Sequence, residues 1–565
     1  MLKNPNLNIN NSPPSQEEIS TAIKQLNKGK SSIDIEAEII KHADSIESFK
    51  HLMEQYFNKI WTQKQIPTQW RISRITPIWK RKGSALDPSK YRGISTGSIM
   101  SKIGMNIILR RLSKFYEEQL KRSQFGFRQG VGCNDAIYIA KQLQEIAYTA
   151  DKSLYACFVD LTAAFDHVKR DFLFKTIRNR LTASQATTNI DLIENLYSST
   201  KSYLQKDDPS TKCFNTKSGV RQGGMEGPPL YNFYSDYALR VYEDRKLNDG
   251  LLGLAIPYNI PNEATNRTQR SEASPSGICN EDEEAYADDL GIFSWSLDEL
   301  NRNIKILHQV FTEFGLNINV DKTETMIFNW DASNTNEYPK SIIAINGKKI
   351  NNVTTFKYLG VWLTYNNINV GITEIEHRVN SAFSAFTANK KLFTNKNIKL
   401  QTRVQFLNSL VRSRLVYGCH AWRPTSSELS KIDSTYRYML RSMLYNGHTR
   451  VNPPTAYDNN TQNSSDEEDP SETEQYDYRY VINNERLHQI TNTESITNFF
   501  EKQQMYWISH VIRRNNLNLC KILTFHSVKP TRLGRRTKSI LQRVVEKSGL
   551  TMNEFLKVSF MKMNR

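Results

Sequence analysis

The sequence lacks an apolar run of the ~18 to 20 residues that a helix needs to cross a bilayer, so a membrane protein is not indicated. It has six cysteines and no CxxC pair, which excludes a secreted disulfide scaffold. The first residues, MLKNPNLNINNSPPSQ, show neither the apolar stretch of a signal peptide nor an Arg-rich presequence. We therefore expect a protein of a reduced, intracellular compartment without a membrane partner.

Acidic residues are few compared with basic ones. Lys and Arg number 75 against 58 Asp and Glu, which gives a formal net charge of +17. Eight of the acidic residues lie between Val451 and Tyr478, where there is no Lys or Arg, so the rest of the chain carries +25. Such an excess is atypical of metabolic enzymes and predicts a polyanionic partner, most simply nucleic acid.

The 565 residues allow two to four folding units of roughly 150 residues each. Residues 451–480 are so poor in apolar side chains that burial cannot offset the entropy of ordering them, which predicts an acidic disordered linker. A second polar stretch runs from Pro261 to Glu284 and ends in an acidic run, Glu281–Glu284. We expect it to form a surface loop inserted between two ordered elements.

Hydrophobic periodicity predicts helices mixed with strands in the first two thirds of the chain and helices after that. Ser15 and Glu18 form a capping box at the start of the first helix. This order indicates an α+β body with an α-helical appendage. The other predicted elements are helices over 46–60, 98–119, 134–149 and 300–314, strands over 72–79, 154–159 and 316–320, and a hairpin over 285–293.

Three carboxylates stand where apolar strands end. Asp160 closes the apolar run in FVDLTAAFDHV, and Asp288 and Asp289 occupy the tip of YADD. Carboxylates gathered at strand ends repel one another unless cations neutralise them, and Mg²⁺ prefers oxygen ligands that substrate phosphates complete. Two ions about 4 Å apart can stabilise the attacking and leaving oxygens of an in-line phosphoryl displacement. The carboxylates are therefore candidate ligands of two Mg²⁺ ions, with Mn²⁺ as an alternative metal.

Each of these motifs is common when taken singly, and it is their order that is specific. RITPIWKRKG, YRGIS and QFGFRQGVGCNDAI precede Asp160, GVRQGGMEGPPLYNFYSDYAL separates it from YADD, and GLNINVDKTETM and FKYLGVWL follow. This series, from roughly Arg71 to Gly360, resembles the reverse transcriptases of non-long-terminal-repeat (LINE-type) retrotransposons. The resemblance implies an RNA-directed DNA polymerase in which Asp160 and Asp288 bind both metals and Asp289 acts less directly.

The resemblance also implies a right-hand polymerase fold with fingers, a palm built on an antiparallel sheet, a thumb and an α-helical C-terminal domain. The expected boundaries are an N-terminal helical extension over 1–70, fingers and palm over 71–360, a helical thumb over 361–450, the acidic disordered linker over 451–480 and a basic helical C-terminal domain over 481–565.

Five further positions match the nucleotide site of this family. Lys80, Lys82 and Arg92 would hold the triphosphate, because Arg offers a bidentate fork and Lys a point charge. A solvated basic turn is the alternative interpretation of the two lysines. Gln222 would place its amide near the sugar, and Gly223 would let the backbone approach the nucleotide.

Phe165 matches the family's aromatic gate, which would collide with a 2′-hydroxyl and so favour deoxynucleotides. Its alternative role is ordinary core packing. Lys322 matches the lysine proposed to protonate the departing pyrophosphate, which requires a general acid within hydrogen-bond reach. Its alternative is a surface lysine in a turn.

The segment Tyr358, Leu359 and Gly360 matches the primer grip that steers the primer 3′ end, with hydrophobic strand packing as the alternative. In the family, a basic C-terminal segment holds template RNA or target DNA. Here Arg513–Arg514 and Arg535–Arg536 are candidates for that role, and solvated helix faces are their alternative.

The partners implied are template RNA, primer or target DNA, and dNTPs. Nothing before Ser15 resembles the endonuclease that usually precedes such a polymerase, so we expect the polymerase part of a retrotransposon protein, as a fragment or an incomplete copy. Action on chromosomal DNA would place it in the nucleus.

Three other functions remain open on the sequence. The chain is alternatively a catalytically silent, domesticated nucleic-acid-binding protein, an intron-encoded maturase, or an RNA-templated RNA polymerase. Intact carboxylates oppose the first, and the C-terminal YGCHAW and YWISHVIRR blocks oppose the second. The third would call for a polar residue where Phe165 stands. RQGGMEGPP also departs from the family pattern by lacking its serine.

Overall fold

The structure is a computed structural model that describes residues 9–27, 32–181, 187–205, 212–264, 276–330, 337–365, 371–445, 482–528 and 538–560. The predicted linker over 451–480 and the pair Arg535–Arg536 lie outside these residues. None of the helices within the described ranges is long and apolar enough to cross a membrane.

The helices agree with the predicted amphipathic segments, and the Ser15–Glu18 capping box is present at the first of them. In chain order they are α1 (Gln16–Lys24), α2 (Ala37–Ala43), α3 (Glu47–Gln63), α4 (Ile99–Gln119), α5 (Cys133–Thr149), α6 (Arg170–Arg180), α7 (Thr187–Tyr197), α8 (Gly227–Asn248), α9 (Leu297–Glu313), α10 (Ile372–Ala388), α11 (Lys390–Phe393), α12 (Leu400–Leu407), α13 (Ser413–Leu415), α14 (Ser426–Leu444), α15 (Asn484–Thr491), α16 (Ile496–Arg513), α17 (Leu519–Thr524), α18 (Ile540–Ser548) and α19 (Met552–Phe560).

The strands are concentrated in the first two thirds of the chain. They are β1 (Ile72–Trp79), β2 (Tyr91–Thr96), β3 (Leu154–Val159), β4 (Leu161–Thr162), β5 (Thr200–Leu204), β6 (Phe214–Thr216), β7 (Ile256–Asn259), β8 (Ser276–Cys279), β9 (Glu283–Tyr286), β10 (Asp289–Ser294), β11 (Asn317–Ile318), β12 (Glu324–Phe328), β13 (Ala344–Ile345), β14 (Lys348–Lys349), β15 (Asn351–Asn352), β16 (Thr355–Tyr358) and β17 (Val361–Thr364).

Five strands form the largest sheet, in the order β15-β12-β3-β10-β9. β3 pairs antiparallel with both β10 and β12, and β10 pairs antiparallel with β9. β15 joins β12 in parallel. The mixture of this sheet with many helices confirms the α+β class.

Helices cover both faces of the sheet because its central strand is apolar on both sides. Tyr155, Cys157 and Val159 of β3 pack into one core with residues of α4, α8 and α9. The alternating residues Ala156 and Phe158 pack into a second core with α5. Since successive side chains of a strand point to opposite faces, a continuous apolar run is what such a central strand requires. The strand therefore holds Asp160 at a fixed place, immediately after its last buried residue.

The C-terminal helices share that second core. Side chains of α16, α17, α18 and α19 pack with those of α5, and a third core unites α10, α12, α14 and α15. Arg514 makes an ion pair with Asp135 of α5, and Nη1 of Arg513 donates to the Ser559 carbonyl oxygen over 2.8 Å. The Arg513–Arg514 pair therefore binds within the protein, which accounts for these two residues without nucleic acid.

A second sheet has the order β2-β1-β5-β6. β1 pairs antiparallel with β2 and parallel with β5. Ser95 of β2 donates its backbone N–H to the Gln222 carbonyl oxygen over 2.7 Å, which connects this sheet to the loop that precedes α8. The end of β2 is thereby held against the loop that leads into α8.

The expected surface loop over Pro261–Glu284 is wrong for its acidic run at 281–284, and residues 265–275 of that stretch lie outside the described residues. Asp282, Glu283 and Glu284 are at most 3% exposed, and β9 begins within the run. Lys121 makes ion pairs with Glu283, and the Lys246 amine lies 2.5 Å from an Asp282 carboxylate oxygen. Lysines from outside the local sequence thus neutralise Asp282 and Glu283, and local composition cannot reveal such partners. Among the described residues, Glu284 has no lysine partner, and burial raises the pKa of its carboxyl group well above the usual value.

Candidate active site

The YADD sequence forms a two-residue hairpin turn, as predicted. Tyr286 pairs with Asp289 across β9 and β10, which leaves Ala287 and Asp288 at the tip. Ala287 has φ +58°, a left-handed conformation that tight hairpins require at their first central position. Asp288 is thus held on the turn itself, and Asp289 begins β10.

Residues 123–126 support this turn by extending the sheet beside β9. Ser123 accepts a hydrogen bond from the Ala285 N–H over 2.9 Å, and the Phe125 N–H donates to the Ala285 carbonyl oxygen over 2.8 Å. At Gly126, a Cβ atom would lie 2.4 Å from the Ala287 nitrogen. Only glycine allows this approach, so the QFGFRQG motif fixes the position of the YADD turn.

Asp160 stands across the sheet from the same turn. Val159 pairs with Leu290, so the next residues outward, Asp160 and Asp289, face each other across β3 and β10. The Asp160 N–H donates to the Thr323 hydroxyl over 3.3 Å, and its carbonyl oxygen accepts from the Asn319 N–H over 2.8 Å. Asp160 thus shares one end of the sheet with Asp288 and Asp289, which follow it by more than a hundred residues in the sequence.

Lys322 belongs to the same group of charges. Its Nζ lies 3.3 Å from Oδ2 of Asp160, with the lysine side chain 65% exposed and the aspartate side chain 32% exposed. The turn between β11 and β12 carries Lys322, and β12 pairs with β3, so the sheet fixes this arrangement. The amine is within hydrogen-bond reach of the carboxylate and open to solvent beside Asp160, Asp288 and Asp289, a region called the acidic cleft below.

The carboxylates repel one another. Asp288 and Asp289 remain exposed to solvent, yet neighbouring protein atoms partly desolvate their carboxylates, and this desolvation raises the pKa of both groups. For Asp289 the pKa rises to about 6, with the charges of Asp288 and Asp160 adding to burial. Arg92 and Lys322 act in the opposite direction on Asp288. The site therefore carries negative charge that nearby cations only partly neutralise.

This donor set fits Mg²⁺ in the form in which proteins usually bind it. Among the described residues, no three His, Cys, Asp or Glu side chains converge into a closed ligand cluster. Mg²⁺ does not require one, because it is commonly bound by one or two carboxylates with substrate phosphates and water. Asp160 and Asp288 supply two hard oxygen donors and meet that requirement. Burial, with the Asp160 charge adding to it, raises the pKa of Asp288.

Phe165 is half-buried beside the carboxylates. Its ring stacks on Tyr231 of α8, with 4.6 Å between centroids and 12° between planes, and Phe127 meets it edge-on at 6.3 Å. Burial raises the pKa of the Tyr231 hydroxyl, and the charges of Asp288 and Asp289 raise it further. An aromatic surface thus borders the acidic cleft.

The three basic residues of the β1–β2 region differ in their surroundings. Arg92 is exposed on β2, and its charge lowers the pKa of Asp288. Lys80 donates to the Ser89 carbonyl oxygen over 3.0 Å. Lys82 is exposed in the turn that follows β1. Arg92 therefore lies within electrostatic reach of the carboxylates, and Lys80 closes its own turn.

Gln222 and Gly223 lie against β2. Gly223 has φ +109°, and a Cβ atom there would lie 2.8 Å from the Ser95 carbonyl oxygen and 2.9 Å from Cγ2 of Ile94. This close contact with Ser95 and Ile94 requires a glycine here, and the approach of the backbone to the nucleotide stays a prediction. The loop before α8 and the second sheet are held together at this point.

The segment from Tyr358 to Gly360 forms the turn of the β16–β17 hairpin. The Tyr358 side chain is buried, and the charges of Glu284 and Asp289 raise the pKa that burial has already raised. Tyr417 donates its hydroxyl to the Leu359 carbonyl oxygen over 3.0 Å, and Arg378 donates to that of Gly360. The domain boundary expected between 360 and 361 falls inside this hairpin.

Two aromatic residues of the cleft were not among the predicted site residues. Phe127 lies in QFGFRQG and Tyr231 follows GPPL, both within motifs that the sequence had singled out. Their roles depend on contacts with Phe165, and spacing along the chain carries no signal for such contacts.

Comparison with known proteins agrees with this geometry. Residues 78–363 match the family described as reverse transcriptase (RNA-dependent DNA polymerase), which is half of the chain. The chain is 30% identical over 230 residues to the probable RNA-directed DNA polymerase from transposon BS of Drosophila melanogaster, covering 39% of this chain and 24% of that protein.

Two further relatives come from mobile elements of flies. The RNA-directed DNA polymerase from mobile element jockey of Drosophila funebris is 22% identical over 397 residues, which cover 68% of this chain and 39% of the relative. The retrovirus-related Pol polyprotein from type-2 retrotransposable element R2DM of Drosophila melanogaster is 25% identical over 280 residues, covering 49% and 23%. The chain thus spans between a quarter and two fifths of the length of these relatives. The resemblance inferred from the motifs is confirmed, and the chain belongs to the reverse transcriptase (RNA-dependent DNA polymerase) family.

Proposed function

We propose that the protein is an RNA-directed DNA polymerase that extends a DNA primer on an RNA template. The observation that carries this proposal is the shared position of Asp160, Asp288 and Asp289 at one end of the largest sheet, with Lys322 3.3 Å from Asp160. The relatives, whose names include RNA-directed DNA polymerase, support the same activity for this chain.

The carboxylates have the main role in this proposal. Asp160 and Asp288 would hold two Mg²⁺ ions, or Mn²⁺, and Asp289 would contribute charge beside them. When bound, such ions stabilise the attacking and leaving oxygens of an in-line displacement. The protein itself fixes the two ligands at the ends of adjacent strands, Asp160 after β3 and Asp288 before β10, so their relative position is set before substrate arrives.

The cations around the carboxylates would handle the triphosphate. Arg92 is an exposed residue whose positive charge lowers the pKa of Asp288. Its planar guanidinium suits binding to phosphate oxygens. Lys80 and Lys82 would add positive charge from the β1–β2 turn. Lys322 would donate a proton to the departing pyrophosphate, because an amine beside Asp160 is accessible from the cleft.

The aromatic and backbone elements would select and align substrates. Phe165, stacked on Tyr231, would exclude a 2′-hydroxyl, and Gln222 with Gly223 would border the nucleotide from the loop before α8. The turn at Tyr358, Leu359 and Gly360 would guide the primer end, since Tyr358 lies within reach of the Asp289 charge.

In the language of right-hand polymerases, the five-stranded sheet with its flanking helices would be the palm. The second sheet, β2-β1-β5-β6, would be part of the fingers, and α10 to α14 would be the thumb. The helices after residue 481 would form the C-terminal domain, although they share a core with α5.

Template RNA, primer DNA and dNTPs are the partners that this arrangement suits, and the net charge of +17 favours such polyanions. If the primer is chromosomal DNA, the protein acts in the nucleus.

Primer extension tests the proposal. Purified protein is incubated with a DNA primer annealed to an RNA template, with dNTPs or with rNTPs, in Mg²⁺ or in excess chelator. We expect extension with dNTPs in Mg²⁺ only. Equal use of rNTPs would favour an RNA polymerase, and binding of the duplex without extension in Mg²⁺ or in Mn²⁺ would favour the silent nucleic-acid-binding alternative.

A further inference from the structure

Phe127 combines three properties that ordinary packing does not explain. Its φ of +55° lies in the left-handed region, which a bulky residue adopts only at a cost in free energy. Its side chain is 54% exposed, so the free energy gained by burying the ring does not offset that cost. Its ring nevertheless meets the Phe165 ring edge-on, at 6.3 Å and 85°.

The residues on both sides of Phe127 hold it in this conformation. Asn232 of α8 donates its amide to the Gly126 carbonyl oxygen over 2.7 Å, and the Gly126 backbone lies against the Ala287 nitrogen of the YADD turn. A residue kept in a rare backbone conformation persists only where its surroundings over-determine it, and such residues cluster at functional sites.

Arg128 supplies the anchor on the other side. Its Nη1 donates to the carbonyl oxygens of Lys121 and Gln124, over 2.7 and 3.0 Å, and its Nε donates to the Glu117 carboxylate over 3.1 Å. Phe127 is thus clamped between a contact with the catalytic turn and a guanidinium that is fully engaged in the α4–α5 connection.

We propose that Phe127 is a positioning residue for sugar discrimination: its ring braces Phe165 through a perpendicular contact, while Tyr231 stacks on the face of Phe165. The inference rests on the proposed polymerase function, and it adds a residue that sets the place of the gate. Because the clamp joins Phe127 to the Ala287 turn, the gate and Asp288 keep a constant relation to each other. Without Phe127, the Phe165 ring could slide parallel to the Tyr231 ring on which it stacks.

The experiment compares Phe127→Leu, Phe127→Gly and Phe127→Tyr with the unchanged protein in single-nucleotide extension. The kcat and KM for a dNTP and for the matching rNTP are measured separately. Phe172→Leu is the matched control, because Phe172 is 37% exposed and its ring meets Phe314 edge-on at 4.9 Å outside the cleft. Phe165→Leu gives the loss expected when the gate itself is removed.

We expect the ratio of kcat/KM for dNTP over rNTP to fall about two- to tenfold in the Leu and Gly variants, the factor that corresponds to an edge-to-face ring contact. The Tyr variant keeps the ring and should keep the ratio, and Phe172→Leu should leave it unchanged. Phe127→Gly relieves the backbone strain, so its melting temperature should be at least that of Phe127→Leu. A loss of discrimination in a stable Gly variant separates positioning from a fold defect.

An unchanged ratio in both the Leu and Gly variants would overturn the inference, as would an equal fall in Phe172→Leu. Unchanged protein that extends no primer with either nucleotide contradicts the proposed function instead, and the two failures are therefore distinguishable.

Discussion

The Nζ of Lys322 lies 3.3 Å from Oδ2 of Asp160, although 162 positions separate the two residues along the chain. The lysine is 65% exposed, so this ion pair contributes little to stability, on the order of 1 kcal/mol or less. An exposed, weakly held amine beside a carboxylate at the end of the sheet is free to turn toward a substrate. This favours a role in chemistry for Lys322 over a structural one.

Replacing Lys322 by Met should lower the rate of nucleotide incorporation roughly 10²-fold, the usual contribution of a general acid. The free energy of unfolding should change by less than about 1 kcal/mol. Single-turnover incorporation and denaturant unfolding measure the two quantities. Lys348→Met is the control, because Lys348 is an exposed lysine paired with Asp321 instead of Asp160. A rate as high as that of the control would remove Lys322 from the mechanism.

The buried acidic run predicts a different consequence for Lys121. This lysine is 7% exposed in its side chain and pairs with Glu243, at 2.8 Å, and with Glu283, which is 1% exposed. Lys121→Met leaves buried carboxylates without a partner, so we expect a loss of about 3 to 5 kcal/mol in the free energy of unfolding. Arg245→Met removes an exposed pair with Glu313 and should cost about 1 kcal/mol or less. Similar losses in the two variants would contradict the burial of the run.

That same run shows where sequence reasoning fails. A string of four acids in a polar stretch has the composition of a surface loop. The lysines that neutralise two of these acids, Lys121 and Lys246, lie far away in the sequence. The β3 strand and the YADD hairpin could be predicted because their patterns are local: an apolar run that ends at Asp160 and a pair of polar residues between two short strands.

In the candidate site, too, some features could be predicted from the sequence and others could not. Motif spacing marks Asp160, Asp288 and Lys322, since a family resemblance transfers positions directly. It carries no information on which rings touch, so the stack of Phe165 on Tyr231 and the edge contact of Phe127 required the structure.

His420 makes stability depend on pH. Burial lowers its pKa to about 4, and its ring lies 2.9 Å from the Asn134 carbonyl oxygen, to which the neutral imidazole donates. In the unfolded chain the pKa is about 6.5, so the unfolded state binds the proton more readily. Stability from this group is therefore present above pH ~6.5 and is lost as the pH falls toward 4, by up to about 3 kcal/mol.

The measurement is the free energy of unfolding at pH 7.5 and at pH 5 for the unchanged protein and for His420→Gln. The Gln variant should lose less stability between the two values. Burial raises the pKa of Glu283 to about 7, so this group stabilises the folded protein more as the pH falls. The effect of His420 is therefore read from the difference in pH dependence between the unchanged protein and His420→Gln. His51→Gln, at an exposed histidine, is the control. Equal slopes in all three proteins would show that His420 is not buried in its neutral form.

The charge balance predicts how the protein responds to salt. With a net charge of +17, binding to an RNA–DNA duplex should release counterions, and the logarithm of the affinity should fall linearly with the logarithm of salt concentration. The slope should be near −0.9 for each phosphate that the protein neutralises in a duplex. Fluorescence anisotropy of a labelled duplex at several salt concentrations measures it. An affinity independent of salt would contradict a polyanionic partner.

The most direct test of the account is primer extension by Asp288→Ala. Asp249→Ala is its matched control, because Asp249 is an exposed aspartate whose partner, Arg302, lies away from the carboxylate cluster. With circular dichroism confirming that both variants fold, we predict no detectable incorporation by Asp288→Ala and an unchanged rate for Asp249→Ala. Incorporation by Asp288→Ala at the rate of the unchanged protein would contradict the assignment of the active site to the YADD turn.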